Sequence, residues 1–247
     1  MARSALITGA NRGIGQQVAR TLAIEGWDVL VGSRDKKAGD ATAARLRKDT
    51  GGRLRAVELD VTSDASVTTA AQKLKDGAIR LDALVNNAGI YGKADVARTI
   101  ETNFFGPLRV TLAMLPLLRD GATITNVTSG LGELDNLDPP HRRFLADPAL
   151  SRDALVETMR TYATTAPEWG TDAYGVSKAA LDALTRVFAR ELAPREIRVN
   201  STCPGWVRTD MGGRNAPRSI EQGAASVLFG VTAKETGHIL RDGKRVG

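Results

Sequence analysis

Short apolar runs alternate with amphipathic stretches of roughly 10–15 residues along this chain, and the alternation predicts an α/β fold. Ala5–Ile7, Trp27–Val31, Leu54–Leu59, Leu81–Val85, Ala122–Val127, Ile197–Thr202 and His238–Leu240 read as seven strands. Strands joined by helical crossovers form a parallel sheet covered on both faces. Right-handed crossovers make that sheet doubly wound, of the Rossmann type, with ligands at the strands' carboxyl ends where the order reverses. A third observation is the glycine turn Thr8-Gly-Ala-Asn-Arg-Gly-Ile-Gly15. It follows the first strand and opens a segment with Ile14, Val18 and Leu22 at helical spacing.

The chain of 247 residues could form one large α/β domain or two small ones. No repeat or linker divides it, so one domain over 1–247 is expected. No run of about 18 apolar residues occurs, so neither a membrane span nor a membrane partner is expected. The sequence enters a strand almost at once, which leaves no room for a signal peptide. Cys203 is the single cysteine, which fits a reducing, cytoplasmic setting. The net charge of +6 raises nucleic acid as a partner. However, the basic residues lie among acids (Arg45, Arg47 and Lys48 beside Asp49; Arg190 beside Glu191) and form no basic tract with aromatic platforms. A small-molecule partner and no metal are the expectation.

The glycine turn has the geometry that places a diphosphate at a helix N-terminus, where free N–H groups and the helix dipole favour anions. Gly9 permits the tight turn, Gly13 a close ligand approach, and Gly15 close packing of helix on strand. Asn11, Arg12 and Ile14 fall within the same turn. The spacing is G-x-x-x-G-x-G, neither G-x-G-x-x-G nor a P-loop. The second strand ends at Gly32-Ser33-Arg34-Asp35, the place that faces an adenosine ribose. An acid in first position would select NAD. Here Ser33 can bond a 2′-phosphate and Arg34 can pair with it and stack on adenine, with Arg12 a second cation nearby. That points to NADPH.

Residues 36–49 read as an exposed helix. The third strand ends at Asp60-Val61. Asp60 can accept from an adenine amino group or belong to a helix N-cap region with Thr62, Ser63 and Asp64, and both can hold. Residues 64–76 form the next helix. The fourth strand ends at Asn86-Asn87-Ala88-Gly89.

TGANRGIG, the LDV containing Asp60, NNAG at 86–89, Asn103 in NFFG, Ser129 in NVTSG, YGVSK at 174–178 and PGWVRTDM at 204–211 run in order over nearly the whole chain. Together they resemble the short-chain dehydrogenase/reductase family. NFFG, PGWVRTDM and a long stretch before the tyrosine are most similar to its NADPH-dependent carbonyl reductase branch. The resemblance implies a catalytic set of Asn103, Ser129, Tyr174 and Lys178, with Asn103 in a helix distortion that holds a water. It also implies cofactor contacts at Asn87, Ala88, Gly89, Pro204, Gly205, Val207 and Thr209, with Lys178 on the nicotinamide ribose.

The residues themselves support that chemistry. Tyr174 and Lys178 stand at i and i+4 on one helix face. A phenol with pKa near 10 is a poor acid–base catalyst at neutral pH, and a nearby ammonium is expected to lower it. Ser129, at the end of the fifth strand, can hold a substrate carbonyl while Tyr174 protonates it. Trp206 is a candidate lid over substrate. Cys203 is either a reactive thiol or a buried small apolar residue.

Between Ser129 and Tyr174 lie 44 residues, where the resemblance implies about a dozen in most members. Leu155, Met159 and Tyr162 suggest a helix within this insert, about 131–171. Such an insert resembles that of monomeric carbonyl reductases, where it covers the helix faces used for tetramers, so a monomer is expected. Tyr162 and Trp169 either wall the substrate pocket or pack the insert. Pocket shape would depend on 90–97, 131–171 and 206–216. Residues 217–229 read as a further helix.

The implied activity is NADPH-dependent reduction of a ketone or aldehyde, hydrophobic in character, with Tyr174 as proton donor. One alternative is an NAD(P)-dependent alcohol dehydrogenase working oxidatively. Another is a non-catalytic NADP(H) sensor; it predicts a broken catalytic set, whereas all four residues are present.

Overall fold

The computed structural model describes residues 2–92 and 95–246; Lys93 and Ala94, within the pocket segment 90–97, lie outside the described residues. Its sheet has the order β3-β2-β1-β4-β5-β6-β7-β8. The strands are β1 Ser4–Ile7, β2 Asp28–Ser33, β3 Arg53–Glu58, β4 Leu81–Asn86, β5 Leu118–Val127, β6 Arg198–Thr202, β7 Ile239–Arg241 and β8 Lys244–Arg245. The first seven pair in parallel, and the order reverses between β1 and β4 as a doubly wound sheet requires. The expected seven strands are joined by an eighth, which pairs antiparallel with β7. Asp242 and Gly243 make the hairpin turn with φ of 50° and 77°. Asp-Gly is a hairpin signal, but a two-residue strand carries no alternation to read. β5 also begins at Leu118, four residues ahead of the apolar run, after a register shift against β4.

Helices fill the gaps: α1 Gly13–Ile24, α2 Lys36–Thr50, α3 Asp64–Asp76, α4 Val96–Ile100, α5 Gly106–Met114, α6 Pro139–Ala146, α7 Arg152–Thr165, α8 Ala173–Glu191 and α9 Ile220–Thr232. The strand pleat decides what packs where. Ile7, Val29 and Val31 face Val18 and Leu22 of α1, Leu46 of α2 and Val227 of α9. Leu6, Leu30 and Ile124 face Val67 of α3, Met114 of α5 and Phe188 of α8 on the other side. Most helices start on a capping side chain: Asp35, Ser63, Asp95, Asp138, Ser151, Asp172 and Ser219 each accept from a first-turn N–H. α1 has no such cap. No described helix is long and apolar enough to cross a membrane.

The insert carries two helices, α6 and α7. α7 matches the apolar spacing seen in the sequence; α6 starts on Asp138 with two prolines at its head. Both dock on α8. Leu145, Leu155, Met159, Tyr162 and Trp169 join the same core as Phe188. Trp169 stacks on His141 with centroids 4.1 Å apart and meets Tyr162 edge-on at 4.9 Å. Tyr162 and Trp169 therefore pack the insert rather than wall a pocket. Because Trp169 is buried in the main core, Trp169→Ala should lower the unfolding free energy by about 3–5 kcal/mol, in one cooperative urea transition. A first transition for the insert alone would show that it folds separately.

Candidate active site

The carboxyl ends of the strands open into a cleft of about 2140 Å³. That exceeds an ordinary small-molecule pocket of about 300–1,000 Å³ and has room for a dinucleotide beside a second ligand. Of the contact residues named from the sequence, all but Gly15 and Asn103 line it. Gly15 lies beneath, where a Cβ would run into the Asn87 amide and stand 2.8 Å from the Gly9 carbonyl. Its absence of a side chain lets α1 reach the sheet.

The glycine turn is held open by β4. The Thr8 hydroxyl accepts from the backbone N–H of Asn87 and of Ala88, both at 2.9 Å. The Asn87 amide donates back to the carbonyls of Thr8 (2.9 Å) and Gly9 (3.2 Å). Gly9 and Gly13 adopt φ of 62° and 57°, in the left-handed region where glycine is free. A Cβ on Gly9 would stand 3.0 Å from the Ala88 Cα. Uncapped, the α1 N-terminus keeps its N–H groups for an anion at the cleft floor.

At the end of β2, Asp35 lines the cleft with its carboxylate engaged as the cap of α2, accepting from Ala38 N. Ser33, whose hydroxyl donates to the Asp35 carbonyl at 2.8 Å, and the exposed Arg34 line the cleft beside it. Arg12 also lines the cleft, but its guanidinium pairs with Asp210 at 2.8 Å. The second cation expected for a 2′-phosphate is thus engaged with the loop after β6. Asp60 accepts from Thr62 N–H and hydroxyl at 3.0 and 2.8 Å. The cap of α3 is Ser63, so Asp60 shapes the turn ahead of the helix while still lining the cleft. The uncapped helix, the glycine cradle and a Ser-Arg pair whose neighbouring acid is occupied as a helix cap all fit a phosphorylated dinucleotide.

Tyr174 and Lys178 enter from α8, and Ser129 from the end of β5. Tyr174 is buried, and burial pushes its phenol up to about 12, against a smaller downward pull from a hydrogen bond with Ser129. The sequence-based expectation that Lys178 lowers this pKa is therefore overturned. Lys178 Nζ stands 5.6 Å from the Tyr174 ring centroid and donates to the Val127 carbonyl at 2.8 Å. Burial also brings the lysine itself down to about 8.

Asn103 lies in a π-helical stretch, Glu101–Phe105, between α4 and α5, which matches the implied helix distortion. It is fully buried behind Gly89. Its amide donates to the Ile90 carbonyl (2.9 Å) and the Ser177 hydroxyl (3.1 Å), and its oxygen accepts from Ile90 N. Both amide protons have protein partners, so Asn103 ties the loop after β4 to α8.

Sequence reasoning placed Tyr91 only within the pocket segment 90–97 and did not single out Arg241, though both line the cleft. The Tyr91 ring meets Tyr174 edge-on at 4.9 Å; it follows NNAG directly, in a stretch with no periodicity to read. Arg241 comes from the distant β7 and donates to Cys203 Sγ at 3.1 Å; nothing local marks it. Cys203 is buried, as its small-residue reading expects. Trp206 is 58% exposed on the cleft rim, its indole N–H on the Gly212 carbonyl, and fits a lid.

The turn Gly130–Gly132 after Ser129 packs against α8 with no space to spare. A Cβ on Gly132 would meet Ala179 N and Lys178 Cβ, each at 2.7 Å. Gly132→Ala should cost about 1–3 kcal/mol in thermal unfolding and shift Ser129 relative to Tyr174. Unchanged stability would show that the turn yields freely.

Comparison with known proteins agrees with this geometry. The short chain dehydrogenase family model matches residues 3–138, and the model described as Enoyl-(Acyl carrier protein) reductase matches residues 144–235. Carbonyl reductase [NADPH] 1 of Sus scrofa is 33% identical, over 92% of this chain and 86% of its own. The (+)-neomenthol dehydrogenase of Arabidopsis thaliana is 35% identical, over 91% and 89%. The structure of salutaridine reductase from Papaver somniferum superposes with a TM-score of 0.87 at 25% identity, covering 96% of this chain and 99% of that one.

Proposed function

The chain belongs to the short-chain dehydrogenase family, and on that premise we propose that it uses NADPH to reduce a ketone or aldehyde, with Tyr174 as the proton donor. The family makes it an oxidoreductase of CH–OH/C=O groups. The observation that carries the finer reading is that Ser129, Tyr174 and Lys178 line one cleft large enough for two ligands, with Lys178 Nζ 5.6 Å from the Tyr174 ring centroid.

NADPH, when bound, supplies the hydride. The turn from Gly9 to Ile14, the α1 N-terminus and residues 87–89 would hold its diphosphate and adjoining sugar. Ser33 and Arg34 would take the 2′-phosphate, Asp60 and Val61 the adenine, and residues 204–209 the carboxamide end, with Lys178 on the nicotinamide ribose. Ser129 would donate to the substrate carbonyl oxygen and so place it against the Tyr174 hydroxyl. Burial keeps the Tyr174 phenol protonated throughout the neutral range, so the proton is in place when negative charge grows on the carbonyl oxygen, and the Ser129 hydroxyl and the Lys178 ammonium would have to ease its departure. The oxidative reading is the reverse of the same transfer through the same residues, and the ratio of reduced to oxidised cofactor decides between them. An assembled catalytic set disfavours the sensor reading. Because α6 and α7 cover α8, the protein is read as a monomer. The substrate is read as apolar, since Tyr91, Leu131, Trp206 and Met211 are exposed along the cleft.

Absorbance of the reduced nicotinamide, with a panel of aromatic, cyclic and aliphatic carbonyl compounds, tests the reading. Tyr174→Phe should cut turnover by about 10²–10⁴-fold with NADPH affinity unchanged; full activity would remove Tyr174 as the acid. Arg34→Ala should weaken NADPH by about tenfold to hundredfold and leave NADH nearly unaffected. Equal losses for both would show that Arg34 does not read the 2′-phosphate.

A further inference from the structure

We propose that Asp182 is a positioning residue for Lys178, a buried carboxylate one helical turn further along α8 that keeps the amine protonated beside the cleft. The inference rests on the reading of Lys178 as part of a reductase site. Lys178, Asp182 and Arg186 recur every fourth residue along α8 and share one face. Lys178 and Asp182 are 5% and 3% exposed. They make no contact ion pair. Lys178 donates instead to Val127, and Asp182 Oδ1 has no hydrogen-bond partner. The attraction therefore acts across low-dielectric protein, where it is stronger than in water.

A carboxylate is an expensive choice for this position. An apolar side chain would fill the same core without desolvating a charge. What Asp182 supplies is visible at Lys178: burial drives the amine down to about 8, and Asp182 is the leading influence in the opposite direction, followed by Cys203. Asp182 is itself raised to about 7 by burial, against the hydroxyls of Ser201 and Thr128, then Arg186 and Lys178. These are the groups that face it: the two cations from its own helix, and hydroxyls from β6 and from the end of β5. Arg186 is in turn anchored to the insert through the Leu145 carbonyl at 2.7 Å.

A buried polar chain ends at this carboxylate. Asn86 donates to Thr111 (3.1 Å) and to Asn126 (2.8 Å), and Asn126 donates to Thr185 (2.8 Å). The Thr185 hydroxyl stands 2.8 Å from that of Ser201, and Ser201 faces Asp182. Each hydroxyl has a single proton to give. Because Thr185 gives its proton to the Leu181 carbonyl at 2.9 Å, the one Ser201 proton goes either to Thr185 or to an ionised Asp182. Ser201 is thus the hydroxyl that answers either charge state of Asp182.

The test reads the lysine directly, by the pH titration of its side-chain NMR signal in protein carrying ¹³C-labelled lysine, assigned with Lys178→Met. The midpoint should lie near 8 and fall by about one unit in Asp182→Asn, which keeps the shape and removes the charge. The alkaline limb of the NADPH-dependent rate profile should move down with it. A midpoint unchanged in folded Asp182→Asn overturns the proposal and leaves Asp182 a core residue. Should that variant not fold, Ser201→Ala decides. Losing a group that favours the ionised acid should lower the Lys178 midpoint in the same direction, and an unmoved midpoint there overturns the proposal too. A normal titration in a protein that turns over no carbonyl compound would sink the reductase reading alone.

Discussion

The clasp between Thr8 and Asn87 is the interaction on which the site depends. β1 and β4 are neighbours in the sheet but lead in opposite directions from its switch point, so their carboxyl ends diverge into a crevice. A crevice between two loops would collapse or splay unless something fixed its width. Here one hydroxyl accepts two backbone N–H groups and one amide returns two bonds to backbone carbonyls. The loop groups are satisfied by each other, and the glycine turn is fixed in its left-handed conformation without drawing on α1. The free N-terminus of α1 follows from that arrangement. In a protein whose other helices start largely on Asp or Ser caps, an uncapped helix end at the floor of a cleft is where an anion belongs.

Behind the clasp, burial governs the chemistry. Tyr174, Lys178 and Asp182 all lie on one face of α8 against the sheet, and each is shifted toward its uncharged form with burial as the first cause. The tyrosine becomes a firmer acid-form phenol, the lysine an amine close to its titration point, and the aspartate a carboxyl that ionises near neutrality. Local charges then correct these shifts rather than set them. This explains why a simple pairwise argument about Tyr174 and Lys178 gets the sign wrong for the ligand-free chain. Spacing on a helix reports proximity, whereas desolvation depends on what the whole fold stacks over the pair.

The same division runs through what the sequence disclosed. The parallel strands were legible because buried strands are short apolar runs, and the helices because their apolar residues keep a 3.6-residue period. The glycine turn, the strand-end residues and YGVSK were legible because the chemistry requires particular residue types at fixed offsets. β8 was not, being only two residues long. The partners of individual side chains were not either. Arg12 reads as a phosphate ligand by position, yet Asp210 arrives from 198 residues away to take it. Asp35 follows Ser33 and Arg34 directly, and only the structure shows its carboxylate occupied as a helix cap. Tyr91 and Arg241 reach the cleft through tertiary packing with no local pattern to announce them.

The insert shows how tertiary demands override a surface reading of α8. Arg186 and Arg190 would look like solvated positions on a helix exterior. Instead Arg186 donates to the Leu145 carbonyl and Arg190 to the Leu150 carbonyl, while Arg152 pairs with Glu191 at 3.3 Å and lies over Phe188. These bonds satisfy backbone carbonyls around the ends of α6 and in the turn before α7, groups that a helix cannot satisfy by itself. The cations of α8 are therefore structural donors to the insert, and the apolar residues between them complete its core. One helix thus carries the catalytic pair at its start and the insert's anchors farther along. Arg186 joins the two, donating to Leu145 of α6 while standing among the charged groups around Asp182.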